Sequence, residues 1–197
     1  MEHALDSDHI VAVSTIVSLN RRPLRAVLVG AFWGIGHTLT LLLVGLAVII
    51  FKLVIPFQLA LSMEFLVGVV LVILGAQILG KYRIKKVHSH PHFTHYHKSI
   101  LVGVFHGLAG SAALMLFVFS TVRSAFEGVV YILLFGVGSI LGMMVVSTII
   151  GLLFALSAHR LASVNRPIRL VAGMVSVILG IIIMINIGIV DGLINKP

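Results

Sequence analysis

The 197-residue chain contains no cysteine. It therefore forms no disulfide, offers no thiolate to a metal ion and carries out no thiol redox chemistry. Any transition-metal ion would have to be bound through nitrogen and oxygen atoms. Charged residues are scarce as well, since they make up 10% of the sequence and include only 6 acidic residues. Soluble domains carry about a quarter charged residues, so this composition argues against a soluble protein.

Long apolar runs occupy much of the chain. Hydrophobic residues make up 59% of the sequence, and the mean hydropathy is +1.18. Between Ala26 and Phe51 the one ionisable residue is His37, and a helix of this length crosses the roughly 30 Å hydrocarbon layer of a bilayer. The sequence therefore predicts an all-α, polytopic membrane protein, a helical bundle whose first partner is the lipid bilayer.

The bundle is predicted to contain about six segments, separated by polar and turn-forming residues. A polar stretch in the middle of the chain divides the segments into two sets of three. We expect a first transmembrane repeat at residues 1–80, a His-rich loop at 81–98 and a second transmembrane repeat at 99–197. The predicted segments cover residues 2–19, 24–52, 56–80, 99–122, 128–156 and 168–190.

The two halves also resemble each other in sequence. Val67–Gly75 matches Ala172–Gly180 at six of nine positions, with an offset of 105 residues. Because each half holds an odd number of segments, the second half would enter the membrane upside down relative to the first. Such inverted repeats are typical of secondary transporters, whose substrate sites lie near the middle of the membrane. Two shorter matches follow in the same order, Gly34–Gly36 with Gly136–Gly138 and His3–Leu5 with His106–Leu108.

The positive charges alternate between the two sides of the predicted membrane. The loops after segments one, three and five hold 11 of the 14 Lys and Arg residues. By the positive-inside rule these loops are cytoplasmic, so the His-rich loop would face the cytoplasm of a cell (inner) membrane and both termini would lie outside. The cations do not form one basic face, so nucleic acid is not an expected partner. The 11 residues are Arg21, Arg22, Arg25, Lys81, Arg83, Lys85, Lys86, Lys98, Arg160, Arg166 and Arg169.

Four ionisable side chains are concentrated near the amino terminus, at His3, Asp6, Asp8 and His9. A charged residue in the middle of a membrane helix costs about 2.5–3.5 kcal/mol, so such a cluster requires compensation. Imidazole nitrogen and carboxylate oxygen suit nickel, cobalt, zinc or copper ions. In a regular helix His3 and His9 would lie roughly 120° apart and about 9 Å along the axis, so an unwound start is needed to bring them to one ion. Alternatively, the cluster is a polar cap in the headgroup region.

Further histidines are candidates for metal binding. His37 lies beside two glycines in segment two, and His106 opens the corresponding part of the second half. Either one could instead be a helix histidine bonded to a neighbouring carbonyl. Glu64 is expected at the interface, because it lies close to Pro56. Five histidines in the central loop form a candidate accessory metal-binding segment, or alternatively a solvated loop: His88, His90, His92, His95 and His97.

The spacing of His3, Asp8 and His9, followed by the element Gly34-Ile35-Gly36-His37-Thr38, resembles the signature of the nickel/cobalt transporter superfamily, with its UreH-like and NicO/RcnA-like branches. The element His106–Ser111 resembles the UreH-like branch. The resemblance implies that His3, Asp8 and His9 of the first motif bind the transported ion, with His37 as a further ligand. His106 is a candidate ligand from its place in the repeat. It implies a transporter of Ni(II) or Co(II) rather than an enzyme, with no prosthetic group and with a cytoplasmic metallochaperone or urease-type target as a further partner.

Two other functions are compatible with the residues. A membrane accessory factor would deliver metal to a urease-type enzyme through the His-rich loop. A related small-solute exporter would need cationic groups within the membrane, but no Lys or Arg lies deep in a predicted segment. Import and export share the same motif. Members of the superfamily carry apolar residues before the motif, so we expect the natural start to lie upstream of Met1.

Overall fold

A computed structural model of the chain describes residues 2–18, 23–83, 94–121, 124–160 and 162–194. The all-α prediction is confirmed, since every regular element in these ranges is helical. A short 3-10 turn at Glu2–Leu5 precedes the six helices, and a π-helical turn at Asn186–Val190 continues the last one. The helices are α1 (Ser7–Ser18), α2 (Pro23–Phe51), α3 (Phe57–Arg83), α4 (Thr94–Thr121), α5 (Ala125–Arg160) and α6 (Ala162–Ile185).

The chain is a membrane protein. Four stretches of the described residues are long and apolar enough to cross a bilayer, in α2, in α3, in α5 and at the end of α6 with its π-helical turn. Their outward-facing side chains are large and apolar, among them Leu43, Leu134 and Ile178. In water such a surface would be costly, whereas in lipid it is the expected one. The spans cover Leu24–Phe51, Phe57–Gly80, Ala125–Ser157 and Arg166–Val190.

α3 packs against its repeat counterpart α6 in a reciprocal manner. Gly75 lies so close to α6 that a Cβ atom there would come within 2.5 Å of the carbonyl oxygen of Gly173. Gly68 approaches the carbonyl oxygen of Gly180 in the same way. The repeat offset of 105 makes Gly68 equivalent to Gly173 and Gly75 equivalent to Gly180. Two equivalent pairs that exchange partners are the mark of a two-fold relation between the halves.

α2 and α5 repeat this pattern. The hydroxyl of Thr38 donates a hydrogen bond to the carbonyl of Gly136 over 3.1 Å, and Gly34 packs directly against Ile140. With the offset of 102 read from the sequence, Gly34 corresponds to Gly136 and Thr38 to Ile140. Both pairs of helices are therefore related as two inverted repeats require. α1 lies between the two helix pairs.

α1 is only 12 residues long and is surrounded by other helices. It packs against α3, α5 and α6, and Val13 and Val17 are completely buried. The buried hydroxyls of Thr15 and Ser18 donate hydrogen bonds to carbonyls of α1 itself, so they need no partner from another helix. The fold thus carries the polar amino-terminal end of α1 into the interior of the bundle.

Candidate metal centre

The backbone changes course between His3 and His9. The 3-10 turn ends at Leu5, and α1 starts at Ser7, with the carbonyl of Asp6 accepting a hydrogen bond from the amide of Ile10 over 3.0 Å. This break removes the separation that one continuous helix would impose. The imidazole rings of His3 and His9 consequently lie 4.6 Å apart, centre to centre. The irregular start foreseen from the sequence as a requirement for a shared ion is present.

His37 projects from the middle of α2 toward these two rings. Its imidazole is fully buried and stacks on the indole of Trp33, with ring centres 5.0 Å apart and planes inclined by 11°. Ring nitrogens of His3, His9 and His37 lie within 4.8 Å of one another. Three neutral imidazoles that converge in this way offer a nitrogen donor set suited to nickel, cobalt, zinc or copper ions.

His106 completes the group of imidazoles from α4. Its ring centre lies 5.0 Å from that of His9. Nδ1 of His106 is 2.8 Å from the carbonyl oxygen of Val102. Because a carbonyl oxygen only accepts, Nδ1 carries the proton, and the lone pair of the neutral ring lies on Nε2. This Nε2 atom is buried and is 3.8 Å from a carboxylate oxygen of Asp8, so it faces the cluster.

Two carboxylates accompany the imidazoles. Asp8, predicted from the motif, lies 3.3 Å from Nδ1 of His9. Asp6 was part of the ionisable cluster but was not among the predicted ligands, and its carboxylate lies 2.8 Å from Nδ1 of His3. Asp6, Asp8 and His9 form a second group whose donor atoms lie within 4.8 Å of one another. The sequence feature that could have identified Asp6 is its position three residues after His3, which places the two side chains close together in a helical turn.

The exposed fraction of the side chains decreases from Asp6 through Asp8 to His9. The side chain of Asp6 is 51% exposed and that of Asp8 28%, whereas the side chain of His9 is 4% exposed. Both ring nitrogens of His9 and of His37 are buried without a hydrogen-bond partner among the described residues. Leaving a buried polar atom unpaired costs about 1–3 kcal/mol. A cation bound by one ring nitrogen of each imidazole would give that nitrogen a partner and remove this part of the cost.

A cavity of about 350 Å³ leads to the cluster from the end of the bundle where α3 begins and α6 ends. Its walls include His3, His9 and His106, and the small residue Gly110 leaves room beside the rings. Glu64, expected from the sequence at the membrane interface, is exposed and also lines this cavity. The site is therefore reachable from one end of the bundle.

The predicted accessory metal-binding segment lies mostly outside the described residues. His88, His90 and His92 fall within residues 84–93, outside the described residues, and the side chain of His95 lies outside them as well. His97 is exposed in the first turns of α4, nine residues before His106 and thus about 13 Å away along the helix. The accessory site stays a prediction.

Comparison with known proteins gives one informative match. No family profile and no solved structure matches the chain. A curated protein from Bacillus sp. (strain TB-90), described as urease accessory protein UreH, is 42% identical over an alignment of 208 residues. The alignment covers 98% of this chain and 90% of the relative, so the similarity extends over the helices of both halves as well as the histidine cluster.

Proposed function

The chain belongs to the UreH-like branch of the nickel/cobalt transporter superfamily, and from this premise we propose that it carries a divalent transition-metal ion, Ni(II) first and Co(II) next, across the cell (inner) membrane. The observation that supports this most directly is the convergence of buried, unpaired imidazole nitrogens inside a bundle of membrane helices. Membrane interiors tolerate such groups where they bind a substrate.

The ligands divide into two kinds. His3, His9 and His37 provide the nitrogen donors, and His106 adds a fourth imidazole from the other half of the chain. Asp8 balances the charge of the cation and orients the neighbouring rings. Hard ions such as Mg²⁺ and Ca²⁺ bind almost exclusively to oxygen, so a site rich in imidazole selects transition-metal ions.

The inverted repeats supply a route for changing access to the site. α2 pairs with α5 and α3 with α6, and each pair joins one helix from each half. A rocking of one half against the other would close the present cavity and open the opposite end, as in other transporters with inverted repeats. By the charge distribution the present cavity faces the outside and the His-rich segment faces the cytoplasm.

A second candidate function is metal delivery. The curated relative is described as a urease accessory protein, and the five histidines of residues 88–97 suit transfer of metal to a cytoplasmic metallochaperone or a urease-type enzyme. In this alternative the histidine cluster in the bundle would store the ion, and the loop would pass it on. The bound metal is cargo in both accounts, and neither requires a prosthetic group or a catalytic activity.

Nickel flux into proteoliposomes tests the proposal. The purified chain should accumulate Ni²⁺, and His9→Ala should reduce the initial rate at least about tenfold, since loss of one ligand of a buried ion leaves the site incomplete. His159→Ala, in the last turn of α5, is a matched control that removes a histidine far along the chain from the cluster. Replacement of His88, His90 and His92 by Gln should leave the flux unchanged. If the wild-type protein binds nickel without moving it, delivery becomes the better account.

A further inference from the structure

The cavity has a second wall that the proposed ligands do not use. The cavity is lined by imidazoles and carboxylates of the metal cluster. It is also lined by residues of α3, of α6 and of the π-helical turn, and the polar members of this set are the exposed residues Glu64 and Asn186. The rest of this wall consists of Val67, Ile183 and Ile187. Two oxygen-bearing side chains thus share the cavity with the histidine cluster, on an otherwise apolar surface.

The packing of α3 explains why Glu64 faces the cavity and not the lipid. Glu64 lies four residues before Gly68 and therefore on the same face of the helix. Gly68 is buried against Gly180 and Met184 of α6. The two helices are antiparallel, so one turn back along α3 corresponds to one turn forward along α6. This register brings Glu64 next to the π-helical turn that begins at Asn186.

Glu64 is an exposed carboxylate at the cavity without a partner among the described residues. It is the one Asp, Glu, Lys or Arg within Phe57–Gly80, and such residues in membrane spans mark substrate or ion pathways. Among the described side chains it forms neither a hydrogen bond nor an ion pair. The charges that act on it, Asp8 and Asp191, are both negative. A cation in the cavity would turn this repulsion into attraction.

The same cavity also reaches buried nitrogen atoms that could bind a cation. His9 and His106 line it, and both side chains are more than nine-tenths buried. Nε2 of each ring lacks a hydrogen-bond partner among the described residues. The cavity therefore extends from exposed carboxylate and amide oxygens to buried imidazole nitrogens that lack a hydrogen-bond partner.

Resting on the proposed function, we propose that Glu64 and the side-chain oxygen of Asn186 form an outer capture site for a divalent cation that still carries its water. A cation with six waters occupies roughly 180 Å³, at about 30 Å³ for each water, and fits into the cavity of about 350 Å³. The carboxylate of Glu64 accepts hydrogen bonds from this water shell and attracts the charge. The ion then loses water as the imidazoles bind it.

The outer site and the imidazole site would select the ion by different properties. The outer site recognises charge and water, so Mg²⁺ competes there with Ni²⁺. The imidazoles discriminate afterwards, because only transition-metal ions exchange water for nitrogen ligands readily enough to stay. Loss of Glu64 should therefore slow the arrival of the ion and leave its final binding intact.

Trp33 provides a reporter that does not require transport. It is the single tryptophan of the chain, and its ring lies 4.7 Å from His9 and 5.0 Å from His37. Binding of paramagnetic Ni²⁺ among the imidazoles should quench its fluorescence. Stopped-flow mixing of the purified protein in lipid nanodiscs with Ni²⁺ then gives the rate constants for association and dissociation.

In this experiment Glu64→Gln should lower the association rate constant about three- to tenfold. The dissociation rate constant should fall by the same factor, because the affinity of the final site and the quenching amplitude stay unchanged. Glu64→Asp keeps the charge and should stay close to the wild type. Millimolar Mg²⁺ should slow the wild type but have less effect on Glu64→Gln. Glu127→Gln, at the start of α5, is the matched control for loss of a carboxylate.

Equal association rates in Glu64→Gln and the wild type would overturn the capture site. Loss of the quenching amplitude in Glu64→Gln would overturn it too, because Glu64 would then belong to the final binding site or to the fold. If the transport proposal alone is wrong, the result differs. Nickel would still bind at a rate that depends on Glu64, but no nickel would enter the vesicles. An absence of quenching in the wild type would contradict both proposals.

Discussion

At the scale of single residues, hydrogen bonds determine which imidazole nitrogen is available to an ion. The contact of Nδ1 of His106 with the Val102 carbonyl leaves Nε2 as the acceptor of the neutral ring. The contact of Nδ1 of His3 with the Asp6 carboxylate has the same effect on His3. Partners of this kind fix the tautomer and the orientation of a ligand before the metal arrives.

Asp6 should accordingly act on affinity through His3. We expect Asp6→Asn to weaken Ni²⁺ binding by about tenfold while the stoichiometry of binding is kept, since loss of a partner that orients a ligand typically costs 10–100-fold. Isothermal titration calorimetry on the purified protein measures both quantities. Glu127→Gln, at the start of α5, removes an exposed carboxylate away from the cavity and serves as control. An affinity equal to the wild type would show that Asp6 does not orient His3.

The sequence allowed most of these residues to be named, though not their arrangement. His3, Asp8, His9 and His37 follow from the motif, and the structure brings them together with His106. Asp6 escaped because its role depends on the 3-10 turn, which places its carboxylate beside the ring of His3. Glu64 was expected at the interface from its distance to Pro56, and that expectation stays a prediction. Its place at the cavity was not predictable, because it depends on which face of α3 packs against α6.

At the scale of helices, close approach between α3 and α6 depends on small residues. Lipid tails are as apolar as leucine, so helices in a membrane associate largely through tight packing and interhelical hydrogen bonds. The glycines of α3 permit that packing, and the hydroxyl of Ser176 adds a hydrogen bond to the carbonyl of Leu71 over 2.8 Å. By the repeat offset Leu71 and Ser176 are equivalent, so this contact lies on the two-fold axis itself.

Gly75→Ala should therefore disturb this interface. Its Cβ atom would lie 2.5 Å from the carbonyl oxygen of Gly173. Such overpacking typically lowers the free energy of unfolding by about 1–3 kcal/mol. We expect a lower melting temperature in detergent and slower nickel flux. Gly80→Ala is the matched control on the same helix, because no atom of the described residues lies within 4 Å of its added Cβ atom. The packing account is wrong if both variants melt at the same temperature.

The limits of the helices were largely predictable, because hydropathy determines which residues enter lipid. The main differences concern polar ends. α4 begins at Thr94 and not near residue 99, and α3 continues to Arg83, so both helices extend into the segment expected to be a loop. The central place of α1 was not predictable, since its 12 residues look too short for a span and only contacts with the other helices bury them.

At the scale of the whole molecule, the two halves pair through equivalent positions of α2 with α5 and of α3 with α6 but contribute unequally to the site. The offset of 103 matches His3 with His106. By the same offset the equivalents of Asp6, Asp8 and His9 in the second half are Ala109, Ser111 and Ala112. Most donor atoms therefore come from the first half. The second half provides one imidazole and small residues that leave space for the cavity. This asymmetry explains why the repeat predicted the architecture but not the composition of the site.

The central claim is that the transported ion is held among imidazoles inside the membrane bundle. X-ray absorption at the nickel edge, on the purified protein with one equivalent of Ni²⁺, tests it most directly. Our account predicts a coordination shell with two or more imidazole ligands, reduced by His37→Ala. A shell of oxygen ligands alone, or an imidazole signal that vanishes only when His88, His90 and His92 are replaced by Gln, would contradict it.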